Sequence, residues 1–287
     1  MTDDRSHHRG LAHDLRVMEA ALTRRRILGC FAGAALMPVI GCGTDASTPG
    51  ADAATGTDAG TDAGTDVSTD AGTDAGTCTA IPAETAGPFP GDGTNGANAL
   101  ALAGVVRRDI RASVGPAAGV APGVLLTVRL TLLDASGACA PLAGHAIYLW
   151  HCDRDGHYSM YSPAVAGENF LRGVQETDGA GSATFTTIFP GAYPGRWPHM
   201  HFEVFRSLAT AMSGGNALIT SQLALPEAAC AAAYAADGYS ASARELPRMT
   251  LATDGVFRDG AMLQLATVTG DGVTGFVASL VAVVLTG

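Results

Sequence analysis

The residues with the most specific chemical potential lie in one short segment, 193–201. His199 and His201 stand one residue apart in a stretch that predicts a β-strand. Alternate side chains of a strand share a face, so both imidazoles point to one side, about 7 Å apart along the strand. Two imidazoles on one face are suited to binding a single metal ion. Tyr193, in a proline- and glycine-rich turn just upstream, offers a third donor of a different kind.

A second tyrosine is expected to converge on the same place. Tyr158 follows a predicted strand and an Asp/Gly turn at 153–156, which would bring it to the end of a neighbouring strand. A phenolate oxygen is a hard, anionic donor suited to a trivalent ion, whereas imidazole suits iron, copper or zinc alike. Two phenolates with two imidazoles therefore favour Fe(III) over Fe(II). The alternative for each tyrosine is a half-buried ring at a corner of the fold, with its hydroxyl bonded to backbone.

The N-terminus predicts export and lipid attachment. Three consecutive arginines precede the apolar run 27–40, a pattern typical of a twin-arginine signal. That run is shorter than the roughly 20 residues needed to span a bilayer. Residues 39–42 resemble a bacterial lipobox, so we expect 1–42 to be a signal and Cys42 to carry a lipid that holds the protein at the periplasmic or cell-surface face of a membrane. An ordinary cleaved signal is the alternative, and Met18 is an alternative start.

Residues 43–78 predict a flexible spacer. Gly-Thr-Asp-Ala units repeat there, and the segment carries seven aspartates and no basic residue. Such a stretch repels itself and has almost no apolar side chain to bury. It leaves residues 79–287 for one domain with a core of its own. That domain holds 16 acidic and 11 basic residues, a balance that argues against a nucleic-acid partner.

Two residue types restrict the chemistry further. The 17 basic side chains are all arginines, so no lysine is available for a Schiff base or a phosphate-binding P-loop. The four cysteines beyond Cys42 are compatible with two disulfides in any of three pairings. They are Cys78, Cys139, Cys152 and Cys230. None of their spacings is C-x-x-C, so a thiolate zinc site is not expected.

The folded region is predicted to be all-β, a β-sandwich with one short helix. Turns rich in Gly, Pro, Asn and Asp separate six expected strands, at 124–133, 146–152, 183–189, 199–205, 262–268 and 277–285. One helix is expected at 226–236, where proline and glutamate occupy the first turn and Asp-Gly follows the last. Many short strands with a single helix favour a sandwich.

An ordered series of motifs across residues 80–285 resembles the intradiol ring-cleavage dioxygenase family. The motifs occupy 84–88, 141–144, 150–158, 169–170, 177–178, 185–188, 190–194 and 196–201. Each piece alone is unspecific, whereas the full set in this order is specific. The branch that the chain resembles most is that of the secreted, protocatechuate 3,4-dioxygenase-like members. The resemblance implies the same β-sandwich that the strand pattern predicts.

The resemblance also implies a metal centre and a reaction. A non-haem Fe(III) ion would be held by Tyr158, Tyr193, His199 and His201. A catechol-type substrate and O2 would give a muconate-type dicarboxylic acid, by cleavage between the two oxygen-bearing carbons. Tyr193 is implied to give way to the substrate and to accept one of its protons.

Two further residues carry family roles by the same resemblance. Arg196 matches an arginine that stabilises negative charge developing on the substrate, a role suited to a fixed guanidinium. The alternative for Arg196, taken alone, is a surface arginine in a turn. Gln222 matches a glutamine that lines the oxygen pocket. Structural roles, rather than ligation, are expected for His145, His151 and His157.

The chain departs from the family in one place, and two other functions stay open. The segment between Tyr193 and His199 is shorter than in cytoplasmic members, and Gly195 stands where a tryptophan is common, so we expect a more open pocket. One other function is a transthyretin-like binding module on the cell surface, which shares several turn motifs but needs neither Tyr158 nor the Arg-x-x-His-x-His segment. The other is an oxidase- or dismutase-like copper site on the two histidines, which would leave the tyrosines idle.

Overall fold

Two β-sheets form most of the regular structure. The computed structural model describes residues 78–286. One sheet has five strands: β1 (Leu125–Asp134), β2 (Ala140–Pro141), β5 (Ser182–Ile188), β8 (Thr267–Asp271) and β9 (Gly275–Val284). The other has four: β3 (Ala146–Trp150), β4 (Arg172–Glu176), β6 (His199–Phe205) and β7 (Ile219–Ala224).

The two sheets differ in how their strands pair. In the five-stranded sheet, β2 and β5 pair antiparallel with β1, whereas β9 pairs parallel with β1 and antiparallel with β8. The four-stranded sheet has the order β4-β3-β6-β7 and is antiparallel throughout. Its register sets Trp150 of β3 and Gln222 of β7 opposite His201, one on each side. This register brings residues from three strands together around one histidine.

The core lies between the two sheets. Alternate residues of β1 are fully buried, as the strand period of two predicts: Leu126, Val128, Leu130 and Leu132. They belong to one cluster with the core-facing residues of β6, namely Met200, Phe202 and Val204. Removing such side chains from water stabilises the fold by about 25 cal/mol for each Å² of apolar surface. The architecture is therefore the predicted β-sandwich.

The packing of β6 determines where its histidines point. Because Met200, Phe202 and Val204 enter the core, His199 and His201 lie on the opposite face of the four-stranded sheet. A second apolar cluster, which includes the aromatic side chains of β3, covers that outer face. The candidate site is thus buried on the outer side of one sheet and not inside the sandwich.

The described residues contain three short α-helices, so the prediction of a single helix is wrong in number. Helix α2 (Glu227–Tyr234) lies within the predicted helix at 226–236. Helices α1 (Leu208–Met212) and α3 (Ser240–Glu245) have 5 and 6 residues, too few to show a helical period in the sequence. Two 3₁₀ turns follow, at Leu246–Arg248 and Phe257–Asp259.

The strand predictions succeed where alternation is clean. Five of the six predicted strands are present, with ends shifted by at most two residues: 124–133, 146–152, 183–189, 199–205 and 277–285. The predicted strand at 262–268 is wrong except for its last two residues, because the chain turns there and leaves Met262 90% exposed. Strands β4 and β7 were not predicted, since buried polar residues such as Arg172 and Gln222 interrupt their apolar pattern.

The four described cysteines divide into one disulfide and two buried thiols. Cys78 and Cys139 form the disulfide. Cys152 and Cys230 are buried and free, so only one of the two disulfides that the composition allows is formed. The predicted signal at 1–42 and all but the last residue of the spacer lie outside the described residues. Within 78–286, no helix has the length and apolar character of a membrane span.

Candidate metal centre

The four side chains singled out as metal ligands meet in one place. The Tyr158 hydroxyl oxygen lies 3.3 Å from the Tyr193 hydroxyl oxygen and 3.3 Å from His201 Nε2. Tyr193 Oη lies 3.3 Å from His199 Nε2, and the two Nε2 atoms are 3.1 Å apart. Ligand atoms that share one ion at about 2.0–2.1 Å are separated by about 3 Å. These four atoms, called here the four-donor cluster, are therefore spaced to surround one metal ion.

Neighbouring groups orient both imidazoles of the cluster. His199 Nδ1 lies 2.6 Å from the Trp197 carbonyl oxygen. A carbonyl oxygen only accepts, so Nδ1 carries the proton and Nε2 presents its lone pair to the cluster. The Trp150 indole stacks on the His201 imidazole, with ring centroids 5.0 Å apart and planes 7° from parallel. Both rings are thus held with Nε2 turned towards the tyrosine oxygens.

A buried arginine holds the loop that carries Tyr158. Arg172 of β4 is fully buried and donates to the Ser159 hydroxyl at 3.0 Å and to the Ser159 carbonyl oxygen at 2.9 Å. It also donates to the Pro90 carbonyl oxygen at 2.7 Å and to that of Phe89 at 3.0 Å. One guanidinium therefore ties the Tyr158 loop to the N-terminal part of the domain. Arg172 is not among the residues predicted for the site; the signal that could reveal it is a charged residue inside a strand.

The segment 84–91 forms a wall of the cluster. The Phe89 ring packs against the Tyr158 ring with centroids 5.2 Å apart. Gly87 has a φ of +72°, and a Cβ at this position would lie 3.4 Å from His201 Cε1. Glycine adopts positive φ without steric cost and lets the backbone approach the imidazole closely.

Burial sets the protonation of the four donors. Burial, reinforced by neighbouring positive charge, lowers the pKa of both His199 and His201 well below 6.5, so the imidazoles are neutral and able to ligate. Burial raises the pKa of Tyr193 to about 12 and that of Tyr158 well above 10, while the Arg196 cation opposes both shifts. A bound cation favours the phenolate form. The donor set fits a hard, highly charged metal ion for this reason.

Arg196 is buried beside the cluster, so the alternative of a surface arginine is wrong. It is 4% exposed. Its Nε donates to Asp254 Oδ2 at 2.9 Å, and its Nη2 donates to Gln222 Oε1 at 2.6 Å. Gln222 donates in turn from Nε2 to the Thr85 carbonyl oxygen at 2.9 Å. The structure brings Arg196 and Gln222 together and adds Asp254, which the sequence shows only as part of an ordinary Asp-Gly turn.

The remaining histidines of the domain do not join the cluster. His151 is buried and bonds the Thr187 hydroxyl through Nε2 and the Cys152 carbonyl oxygen through Nδ1, both at 2.7 Å. His145 is half-buried and His157 is exposed. Within 78–286, no three His, Cys, Asp or Glu side chains are grouped to hold a metal ion. A metal site at His199 and His201 therefore depends on the tyrosine oxygens.

The amino-acid sequence is similar to those of known dioxygenases. Residues 108–213 match the family model described as a dioxygenase. Chlorocatechol 1,2-dioxygenase of Rhodococcus opacus is 36% identical over 72 residues, which cover 25% of this chain. That match spans only 27% of the length of the relative. Residues 108–213, which match the family model, contain all four donors and Arg196, whereas Gln222 and Asp254 lie beyond that segment.

The fold is similar to those of solved dioxygenase structures. An intradiol ring-cleavage dioxygenase from Tetranychus urticae is similar with a TM-score of 0.51 and 25% identity, over 63% of this chain and 87% of the other. A second solved dioxygenase has a TM-score of 0.52 and 26% identity, over 63% of this chain and 86% of the other. The resemblance predicted from the ordered motifs is confirmed: the chain is similar to intradiol ring-cleavage dioxygenases in both sequence and fold.

Proposed function

We propose that the domain is a non-haem Fe(III) dioxygenase that cleaves a catechol-type ring with O2 to a muconate-type dicarboxylic acid. The observation that carries this proposal is the four-donor cluster, in which neighbouring oxygen and nitrogen atoms lie 3.1–3.3 Å apart. Two phenolates and two neutral imidazoles suit a ferric ion. The similarity to a chlorocatechol 1,2-dioxygenase supports a catechol as the substrate class.

The four donors would divide their roles according to burial. Tyr158, His199 and His201 are at most 3% exposed and would hold the ion throughout. Tyr193 is half-buried, so it is the donor with room to move aside for a substrate. On moving aside as a phenolate, its oxygen would accept a proton from a catechol hydroxyl and so become the neutral phenol. When bound, Fe(III) would supply the Lewis acidity that activates the catechol towards O2.

Arg196 and Gln222 would act beside the donors. A guanidinium in buried surroundings stabilises negative charge strongly, because little water screens it. Arg196 would therefore favour the catechol after it has lost its protons. The Gln222 amide is held at both ends, by Arg196 and by the Thr85 carbonyl, so it would form a fixed polar wall of the oxygen pocket.

Neither of the other functions has a specific observation in its favour. A copper site on the histidines gives no reason for two tyrosine oxygens 3.3 Å from their Nε2 atoms. A transthyretin-like binding module gives no reason for a buried, charged Arg196 beside that cluster.

We propose further that the domain is exported by the twin-arginine route and anchored by a lipid on Cys42. The disulfide between Cys78 and Cys139 supports an oxidising compartment. Twin-arginine export carries folded proteins, so the metal would be inserted before export. The spacer at 43–78 would then hold the domain away from the membrane surface.

Metal content and colour test this proposal. Purified protein is expected to contain about one iron per chain and to absorb in the visible range by tyrosinate-to-iron charge transfer. Protein stripped of metal and reloaded with Fe(III) is expected to take up O2 with catechols, and protein reloaded with Cu(II) or Zn(II) is not. A colourless protein without iron that also fails to gain activity with Fe(III) would rule the proposal out.

A further inference from the structure

We infer that Asp254 is a positioning residue, which fixes the guanidinium of Arg196 beside the four-donor cluster. The inference rests on the proposed function, because Arg196 acts on a substrate only if the cluster holds a reactive metal. Asp254 lies 58 residues from Arg196 and outside the segment that matches the family model. Its role is therefore a property of this chain that the match does not cover.

The Asp254 carboxylate makes four hydrogen bonds in a fully buried setting. Oδ2 accepts from Arg196 Nε at 2.9 Å and from the Trp197 backbone N–H at 2.7 Å. Oδ1 accepts from the backbone N–H groups of Val256 at 2.7 Å and Phe257 at 3.1 Å. One oxygen thus holds two consecutive residues of the segment that enters β6, and the other holds the loop that carries Asp254 itself.

These bonds determine how the guanidinium is oriented. Arg196 Nε is bound to Asp254 and Nη2 to Gln222, so the planar group is held at two points. The Phe257 ring lies 5.9 Å from Cζ and packs on one face of the group. Of the three nitrogens, Nη1 has no hydrogen-bond partner among the described residues. Holding the other two nitrogens fixes the direction in which Nη1 is offered to a substrate oxygen.

The pair also explains how a full positive charge is kept in this buried place. Arg196 is 4% exposed and Asp254 is 0% exposed. An unpaired charge so buried would be strongly disfavoured by the loss of its hydration, and a hydrogen-bonded opposite charge offsets much of that cost. Asp254 thereby lets the protein hold a cation beside two tyrosines and two histidines without exposing it to water.

A double-mutant cycle tests whether Asp254 acts through Arg196. We expect Asp254→Asn to lower kcat by about 10- to 100-fold and to change KM by less than about threefold, with iron content and the visible band retained. Arg196→Gln should lower kcat by at least as much. In the Arg196→Gln background, adding Asp254→Asn should cost less than about a further threefold, because residues that act through one another are not additive.

A matched control separates positioning from general damage to the fold. Glu168 is also a carboxylate that accepts two hydrogen bonds, from the Ser113 hydroxyl and the Gly119 backbone N–H, at 2.6 and 2.8 Å. Glu168→Gln is expected to leave kcat within about twofold of wild type. Two results with an active wild type would overturn this inference and leave the proposed function standing. One is an unchanged kcat in Asp254→Asn, and the other is a full and additive loss of kcat when Asp254→Asn is added to Arg196→Gln. A wild type without iron or ring cleavage would overturn the proposed function along with it.

A measurement on the wild type does not depend on the folding of Asp254→Asn. Beside the Nε–H of the fully buried Arg172, the ¹⁵N-labelled protein should show a second arginine Nε–H that exchanges with water at least about 100-fold more slowly than those of exposed arginines. Its absence from the spectrum of Arg196→Lys would assign it to Arg196. A fast-exchanging Arg196 Nε–H would overturn the inference, whatever the activity.

Discussion

At the scale of single residues, Tyr193 distinguishes this site from a plain two-histidine metal site. Its hydroxyl oxygen lies 3.3 Å from both the Tyr158 oxygen and His199 Nε2. It is also the only half-buried member of the four-donor cluster. In the proposed function, Tyr193 would thus link the buried donors to the side of the cluster that a substrate reaches.

Replacing this tyrosine tests its double role. Tyr193→Phe keeps the ring and removes one oxygen, so we expect weaker iron binding, a changed visible band, and a fall in kcat of about 100-fold or more. Absorption spectra and steady-state kinetics measure these effects. Tyr239→Phe is the matched control, because its hydroxyl bonds Val124 and Phe189 outside the cluster. A band of unchanged position and intensity in Tyr193→Phe would contradict the ligand assignment.

His151 predicts part of the acid sensitivity of the fold. Burial lowers its pKa from 6.5 to about 4. The folded state therefore favours the neutral imidazole, and this stabilisation is complete above pH 6.5 and is lost as the pH falls through about 4. The loss is on the order of 3 kcal/mol.

Denaturation of wild type and His151→Gln at about pH 7.5 and about pH 4 measures this contribution. The advantage of the wild type in free energy of unfolding should be large at the higher pH and much smaller at the lower one. His145→Gln, at a half-buried histidine, is the control. An advantage that does not change with pH would show that His151 is not held neutral by burial.

At the scale of elements, the site is made where β6 meets the segment 84–91. Every residue of β6 is buried, with one face in the core and the other carrying the two histidines. Segment 84–91 crosses that second face and is tied down by Gln222 at Thr85 and by Arg172 at Pro90. The close approach of this segment to His201 is possible because residue 87 is a glycine.

Comparing substitutions at two glycines tests the effect of the close approach of residue 87 to His201. Gly87 and Gly144 both have a φ of +72°, but only at Gly87 would a Cβ meet the His201 ring. Gly87→Ala and Gly144→Ala should each lower the free energy of unfolding by about 1–2 kcal/mol. Only Gly87→Ala should also lower kcat, by roughly 3- to 10-fold, because it displaces His201, a ligand in the proposed function. Urea denaturation and kinetics compare them, and equal activity of the two variants would contradict the assigned wall.

The sequence predicts those elements and residues whose signal is local. Alternation predicts β6 with both ends correct, and the spacing of Tyr193, His199 and His201 indicates their convergence. Arg172 and Asp254 have no such signal, because each contacts the site region through a distant partner: Pro90, 82 residues from Arg172, and Arg196, 58 residues from Asp254. Their importance comes from burial and from the atoms that they contact, which only the folded structure brings together.

At the scale of the whole molecule, the disulfide ties the start of the described chain to the sandwich. Cys78 stands where the acidic spacer ends, and it is linked to Cys139, 61 residues further on. If a lipid on Cys42 anchors the chain, the spacer that follows it would end at a residue that is covalently bonded to the folded domain.

The lipid proposal makes a direct prediction about location. In an expressing bacterium, the wild-type full chain should be recovered with membranes and extracted by detergent, whereas Cys42→Ser should be exported but released in soluble form. Thr44→Ser, two residues further on, should behave as the wild type. Fractionation followed by mass spectrometry of the N-terminal peptide measures both, and a soluble wild type with an unmodified Cys42 would contradict the anchor.

The fate of the oxygen atoms tests the central claim most directly. The iron-loaded protein is given a catechol under ¹⁸O₂, and the product is analysed by mass spectrometry. We predict a ring-opened dicarboxylic acid of the muconate type that has gained both oxygen atoms of O2. Tyr193→Phe should form this product much more slowly than the wild type. If the iron-loaded wild type leaves every catechol intact, or opens the ring beside rather than between the two oxygen-bearing carbons, the account of this site is wrong.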